Sequence, residues 1–283
     1  MNRRSFLKRS IGSLLALIGI GGGTYYYVRD IEPRMLQVQN VKIMDASIPA
    51  SFNDFKVVQF SDTHIGFHYS VEQLQKLVNR INEENPDLIV FTGDLVDEPH
   101  LYTWNNDLIN VLQSLEAPRG KFWIYGNHDH GGYGTEKVRD VMEASGFTLL
   151  QNEHSVIEQN NERIILSGID DVMLGSPNLR QALENVNPDL FTLLLAHEPD
   201  FVDVAVDYSV NVQLSGHSHG GQVRLPFIGH LYTPKYAEKY VEGKYLLNDG
   251  NLQLFVNRGI GTTRLPYRFL CKPELHVYTL HKE

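Results

Sequence analysis

The chain has 283 residues, enough for one large α/β domain or two small ones once an N-terminal address segment is set aside. Hydrophobic residues make up 42% and charged residues 21%, a globular balance that excludes global disorder. The net charge of −9 argues against a nucleic-acid binder, which would carry a basic face, yet leaves room for a phosphorylated substrate held by metal ions.

Residues 1–30 read as an address. Met1-Asn2-Arg3-Arg4-Ser5-Phe6-Leu7-Lys8-Arg9 precedes an apolar run that includes Ile11, Leu14, Leu15, Leu17, Ile18 and Ile20. A basic stretch followed by an apolar one is an export signal. Arg3-Arg4-Ser5-Phe6-Leu7-Lys8 resembles the twin-arginine signal, which implies the twin-arginine export machinery as a partner. No A-x-A-like cleavage site follows, and the uncharged stretch over residues 11–28 is just long enough to span a bilayer. Tyr25, Tyr26 and Tyr27 suit a membrane interface. The expected location is extracytoplasmic: anchored to the membrane, in the cell wall or secreted. Residues 31–50 are read as a linker and lead-in, and 51–283 as the main domain.

Phe55-Lys56-Val57-Val58-Gln59-Phe60 is a short β-rich run that ends at Ser61-Asp62. Residues 70–84 have helical spacing, with Val71, Leu74, Leu77, Val78 and Ile81 on one face and Ser70 placed as a cap. Leu88-Ile89-Val90-Phe91 leads to Gly93-Asp94, and Lys121-Phe122-Trp123-Ile124-Tyr125 leads to Gly126-Asn127-His128-Asp129. Ile164-Ile165-Leu166-Ser167 precedes Asp170-Asp171, read as a turn. Phe191-Thr192-Leu193-Leu194-Leu195 ends at His197, and Val210-Asn211-Val212-Gln213-Leu214 ends at Gly216-His217. Runs that are apolar throughout suit strands covered on both faces by other layers. Ligands in such folds bind beyond the carboxyl ends of the strands, so residues far apart in the chain can converge there. Residues 220–250, rich in Tyr, Gly and Lys, are expected to leave the sheet and form one wall of a substrate cleft.

Five segments supply ligand-type side chains: Asp62-x-His64, Gly93-Asp94, Gly126-Asn127-His128-Asp129, His197 and Gly216-His217-Ser218-His219. Any one alone is weak; a lone histidine or Gly-Asp pair is usually structural. Together they follow apolar strands and offer oxygen and imidazole donors without sulfur. That set suits Mn, Fe, Zn, Co or Ni and argues against an Fe–S cluster or a structural zinc. If Asp62-x-His64 is extended, its two side chains point the same way and grip one ion. The same holds for His217-x-His219, whereas in a tight loop that pair would serve two ions.

The order D-x-H, G-D-x-x-D, G-N-H-D, H, G-H-x-H resembles the calcineurin-like metallophosphoesterase superfamily over roughly residues 55–225. The leader, Gly216-His217-Ser218-His219-Gly220-Gly221-Gln222 and Asn257-Arg258-Gly259-Ile260-Gly261 are similar to the bacterial exported, YkuE-like branch. The resemblance implies a four-layer α/β/β/α sandwich with a dimetal site at the C-terminal ends of the strands. It implies that Asp62, His64 and His219 hold one ion, that Asn127, His197 and His217 hold the other, and that Asp94 bridges both. His128 would be the unliganded histidine beside the substrate, and the carboxylate of Asp97 would orient it. The cofactors would be two divalent ions, manganese first.

Two such cations about 3.5–4 Å apart can activate a bound hydroxide and neutralise charge at the attacking and leaving oxygens. His128 would then protonate the leaving oxygen or stabilise developing charge. The expected reaction is hydrolysis of a phosphodiester, pyrophosphate or phosphomonoester in a small molecule, lipid or envelope polymer. His68, Asp129 and His130 are secondary candidates for substrate contact, and Arg258 and Arg264 for phosphate binding. The remaining histidines and the single cysteine, Cys271, are read as structural. The chain lacks an H-x-H-x-D-H cluster, a G-x-S-x-G elbow and a P-loop.

Overall fold

The computed structural model describes residues 21–131 and 134–283, together with 3, 10, 13 and 19. Residues 4–9 of the export signal and most of the apolar run after them lie outside the described residues. Among the described residues no helix is long and apolar enough to cross a membrane.

Two six-stranded sheets face each other. The first runs in the order β1 (Gln37–Asp45), β14 (Glu274–Lys282), β2 (Lys56–Phe60), β3 (Leu88–Phe91), β4 (Lys121–Trp123) and β5 (Phe147–Leu149). Strands β2 to β5 are mutually parallel, and β14 enters antiparallel to β2. The second sheet runs β12 (Gly243–Leu247), β13 (Leu252–Val256), β9 (Val212–Ser215), β8 (Thr192–Leu195), β7 (Glu162–Gly168) and β6 (Glu153–Gln159). Its four inner strands are parallel and both edge strands antiparallel.

The period-two alternation of each buried strand feeds two cores at once. Leu88, Val90, Leu193, Leu195, Val212 and Leu214 point between the sheets. Ile89 and Phe91 face α1 (Val71–Glu83), α2 (Asn106–Gln113) and α3 (Thr135–Ala144), while Leu194, Leu254 and Val256 face α4 (Leu179–Ala182) and α5 (Val202–Ala205). The result is the expected α/β/β/α stack. Each fully buried Leu, Val or Phe contributes roughly 1.5–3 kcal/mol of transfer free energy, so both faces of every inner strand stabilise the frame. Helix α1 starts at Ser70, whose Oγ accepts from Gln73 N at 3.3 Å while Gln73 Oε1 accepts from Ser70 N at 3.0 Å. That capping box satisfies two backbone donors that the helix itself cannot.

Residues 31–50 are more than a linker. They contain β1, which pairs with β14 along its whole length and sends Ile43 into the inter-sheet core. Its alternating polar residues hide this strand from an apolar-run reading. Upstream, Glu32 is buried and accepts from Cys271 N at 2.6 Å, and Val28 O accepts from Arg268 N at 2.9 Å. The end of the N-terminal segment is thereby joined to residues 268–271. Residues 220–242 do leave the sheet, carrying the hairpin β10 (Arg224–Leu225) and β11 (Gly229–His230), but 243–247 return to it as β12.

Candidate metal centre

The ligand-type residues lie just past the carboxyl ends of β2, β3, β4, β8 and β9, where the parallel strands of both sheets open onto one cleft. Asp62, His64 and His219 bring one donor atom each within 4.8 Å of one another, and so do Asp94, His197 and His217. Asp94 stands between the triads: its Oδ2 is 3.5 Å from His64 Nε2 and 3.3 Å from His197 Nε2. His64 Nε2 and His219 Nε2 face each other at 3.0 Å, and Asp62 Oδ1 is 3.4 Å from His219 Nε2.

The backbone reaches this convergence by an unexpected route. Asp62, His64, Asp94, His217 and His219 have φ of 53°, 43°, 63°, 66° and 49°, all left-handed. Neither Asp62-x-His64 nor His217-x-His219 is extended: period two does not explain how Asp62 and His64 converge, and His217 and His219, in a tight loop, go to different triads. A left-handed non-glycine residue costs about 1–2 kcal/mol, and such strain persists only where the surroundings over-determine it. Here they do. Asp62 N donates to Gly93 O at 2.9 Å, His217 N to Asp62 Oδ1 at 3.0 Å, and Gly261 N to Asp62 O at 2.8 Å. Gly93 has φ 98°, and a Cβ there would lie 2.5 Å from Gly126 N; one on Gly216 would lie 2.3 Å from Asp62 Oδ2. Both positions therefore require glycine.

Asp129 is a clamp and not a substrate contact. It is fully buried, and its carboxylate accepts from Asp94 N at 2.7 Å, Gly126 N at 2.9 Å and Leu95 N at 3.0 Å. Burial, then the nearby Asp94 charge, pushes its pKa up to about 7. It locks the Gly93-Asp94 loop to the Gly126-Asn127 loop.

The residues present fit two divalent cations. Asn127 Oδ1 and His197 Nε2 are buried without a hydrogen-bond partner, a costly state that a cation relieves. His197 Nδ1 donates to Thr92 O at 2.6 Å and His217 Nε2 to Lys235 O at 2.9 Å, which leaves the other ring nitrogen of each for the site. Burial alone would lower His197, but the Asp94 carboxylate beside it raises it well above the ordinary histidine value, so its Nε2 proton is the one a cation would displace. Burial and the His197 charge hold His217 down at about 3. Burial and the charges of His64 and Arg268 hold His219 well below the ordinary histidine value. Both are thus neutral imidazoles, the ligating form. Burial alone would raise Asp94, but the charges of His197 and then His128 keep its carboxyl well below the usual range. The donors are oxygen and imidazole with no sulfur, as in Mn, Fe, Zn, Co or Ni sites.

His128 lines the cleft, and its ring meets that of His64 edge-on with centroids 4.5 Å apart. Asp97 stands beside it through a different atom from the one anticipated. His128 Nδ1 donates to the main-chain carbonyl of Asp97 at 2.7 Å, whereas the Asp97 carboxylate is 3.6 Å away and sits 3.0 Å from His64 Nδ1. The carboxylate thus orients a ligand-type histidine, and the carbonyl orients His128. Among the secondary candidates, His68 is exposed against Phe67, and His130 pairs at 2.7 Å with Asp170, which is a buried partner and more than a turn residue. Arg258 is taken up by Glu274 and Gln37. Arg264 does line the cleft, donating to Tyr232 Oη at 2.6 Å. Sequence reading missed Arg268: fully buried, it donates to the carbonyls of Arg258, Gly259, Gly261 and Cys271 and fastens the loop behind His219. Nothing in its neighbourhood, Leu265-Pro266-Tyr267-Arg268-Phe269, signals that role.

A family model described as calcineurin-like phosphoesterase matches residues 55–221, the span that holds every one of these ligand-type residues. The chain belongs to the calcineurin-like phosphoesterase family. It is a hydrolase of phosphate-ester bonds. This phosphoesterase is similar to the uncharacterized metallophosphoesterase YkuE of Bacillus subtilis, at 46% identity over 99% of this chain and 98% of the relative. It is also similar to the phosphodiesterase YaeI of Escherichia coli, 29% identical over 99% of each chain. A third relative, the UDP-2,3-diacylglucosamine pyrophosphatase LpxG of Chlamydia muridarum, is 26% identical over 94% of this chain and 95% of its own.

Proposed function

We propose that this phosphoesterase hydrolyses a phosphodiester or pyrophosphate bond in a cell-envelope or other extracytoplasmic substrate. One divalent ion is assigned to Asp62, His64 and His219 and a second to Asn127, His197 and His217, with Asp94 shared. The observation that carries this reading is the place of Asp94 Oδ2 between the two triads, beside the unpartnered Asn127 Oδ1 and His197 Nε2. Support for a disubstituted phosphate comes from relatives named as a phosphodiesterase and a pyrophosphatase. Manganese is the proposed metal on the strength of the oxygen donors Asp62, Asp94 and Asn127; the imidazoles alone suit zinc, iron or nickel.

When bound, divalent ions lower the pKa of water and offset phosphoryl charge. The chain's own groups do the rest. Asp129 and the Gly93–Gly126 contact hold Asp94 and Asn127 in place, and the Gly216 contact holds Asp62, without reorganisation. His128, with its Nδ1–H committed to Asp97 O, would in its doubly protonated form have the Nε2 proton to pass to the leaving oxygen. Residues 1–30 are assigned to twin-arginine export and retention at the outer face of the membrane, on the strength of Arg3-Arg4 and the uncharged stretch over 11–28.

The test is turnover of an aryl phosphodiester, an aryl phosphomonoester and inorganic pyrophosphate by the full chain, first chelated and then given manganese. Metal-restored hydrolysis of the diester or pyrophosphate above the monoester is the expected outcome. Hydrolysis that survives chelation, or a clear preference for the monoester, contradicts the proposal.

A further inference from the structure

The cleft beside the metal centre has a volume of about 650 Å³, and its wall opposite the ligands is apolar. Met173, Val223, Leu231, Leu265 and Tyr267 line it, and Leu231 and Leu265 are also exposed to solvent. Val223 and Leu231 flank the β10–β11 hairpin, whose tip reads Leu225-Pro226-Phe227-Ile228-Gly229. A hairpin tip in water normally carries Gly, Pro, Asn, Asp or Ser, and Pro226 and Gly229 fit that role. Here Phe227 is fully exposed and Ile228 is 71% exposed, and Phe227 holds φ 67°, a left-handed conformation unfavourable for a bulky residue. An exposed apolar cluster with such a strained tip marks a contact surface.

The hairpin also stands next to the end of the N-terminal segment. Arg224 N donates to Phe269 O at 2.9 Å, so β10 is tied to residues 267–269. Those same residues receive the segment: the Tyr25 ring packs edge-on against Tyr267 at 5.9 Å, and Arg268 N donates to Val28 O. The uncharged stretch over residues 11–28 therefore ends at the rim of the cleft. Lys235 and Arg264 lie in the same wall, placing cations where phosphate headgroups would meet an apolar rim.

We infer that the β10–β11 hairpin inserts Phe227 and Ile228 into a lipid bilayer and sets the cleft mouth at its surface, to receive an amphiphilic phosphoester whose chain lies on the apolar wall. The substrate part of this inference rests on the proposed phosphodiester or pyrophosphate activity; the bilayer contact does not. An apolar tip at the headgroup boundary gains transfer free energy in proportion to the area it buries, and anchored neighbours make that gain effectively intramolecular.

Two measurements on the full chain, incorporated in vesicles of phosphatidylglycerol and phosphatidylcholine, separate these parts. The emission that Phe227→Trp adds to the wild-type spectrum should be blue-shifted relative to that added by Val156→Trp on the outer strand β6, and it should be quenched by brominated acyl chains, while the Val156→Trp increment should not be quenched. A Phe227→Trp signal like that of Val156→Trp overturns the bilayer contact. The second measurement uses Phe227→Glu combined with Ile228→Glu. Hydrolysis of a diacylglyceryl aryl phosphodiester in the vesicles should fall about tenfold, while turnover of a water-soluble aryl phosphodiester and of a monomeric short-chain analogue stays unchanged. Equal loss on all three, or no loss on the vesicle substrate, overturns the inference while leaving the phosphodiesterase reading intact. Turnover of none of them by the wild type overturns that reading and the substrate part with it, and the tryptophan signal still decides the bilayer contact.

Discussion

The two walls of the cleft are built on opposite principles. The ligand wall is polar, buried and strained: five left-handed side-chain-bearing residues are held by backbone hydrogen bonds, glycine contacts and the Asp129 clamp. The far wall, which Val223, Leu231, Leu265 and Tyr267 line beside a short hairpin, presents apolar side chains to the cleft, with Leu231 and Leu265 exposed. The difference teaches that reaction and selection are separable here. The ligand wall fixes charges in a geometry that tolerates almost no change, whereas the far wall offers area and shape to whatever the phosphate is attached to.

The sharpest way to break this comparison is at Asp94. Asp94→Asn removes the shared carboxylate, and turnover should fall by on the order of 10³-fold or more with loss of at least one ion, checked by kinetics and elemental analysis on the same sample. His128→Ala comes next, with a loss of about 10²-fold in kcat and both ions retained. Ion loss in that variant would make His128 a ligand instead. Asp97→Asn should weaken the affinity for one ion by about tenfold, because the carboxylate orients His64, and activity should return at saturating metal. A rate deficit that saturating metal leaves in place would return the carboxylate to the role of orienting His128. Smallest is Leu231→Ala in the far wall: KM for a long-chain phosphodiester should rise about threefold with kcat unchanged, since only chain contacts are lost. An equal effect on a small aryl diester would show that the two walls are not separable.

Much of the ligand wall was legible because its signals are local and strong. Leu88–Phe91 is four apolar residues with Gly93-Asp94 at its end, and it is a buried strand with Asp94 at its carboxyl edge. Helix α1 announced itself through Ser70 as a cap and one apolar face. What stayed hidden depends on tertiary contacts. The left-handed φ of Asp62 and His64 follows from hydrogen bonds to 93–94 and the approach of 216, none of which leaves a mark between residues 62 and 64. The choice between carbonyl and carboxylate at Asp97 turns on the path of its backbone. Arg268 and Glu32 are buried charges whose partners lie in loops or far along the chain. Strand β1 escaped notice because an edge strand needs only alternate apolar residues. The hairpin tip was readable in principle, as Phe227-Ile228 between the turn formers Pro226 and Gly229.

The central claim is a centre for two cations shared through Asp94, and metal titration of the chelated full chain tests it most directly. Manganese should bind at two equivalents per chain, with phosphodiester turnover appearing only as the second equivalent fills. Saturation at one equivalent, or full turnover before the second ion binds, would contradict it.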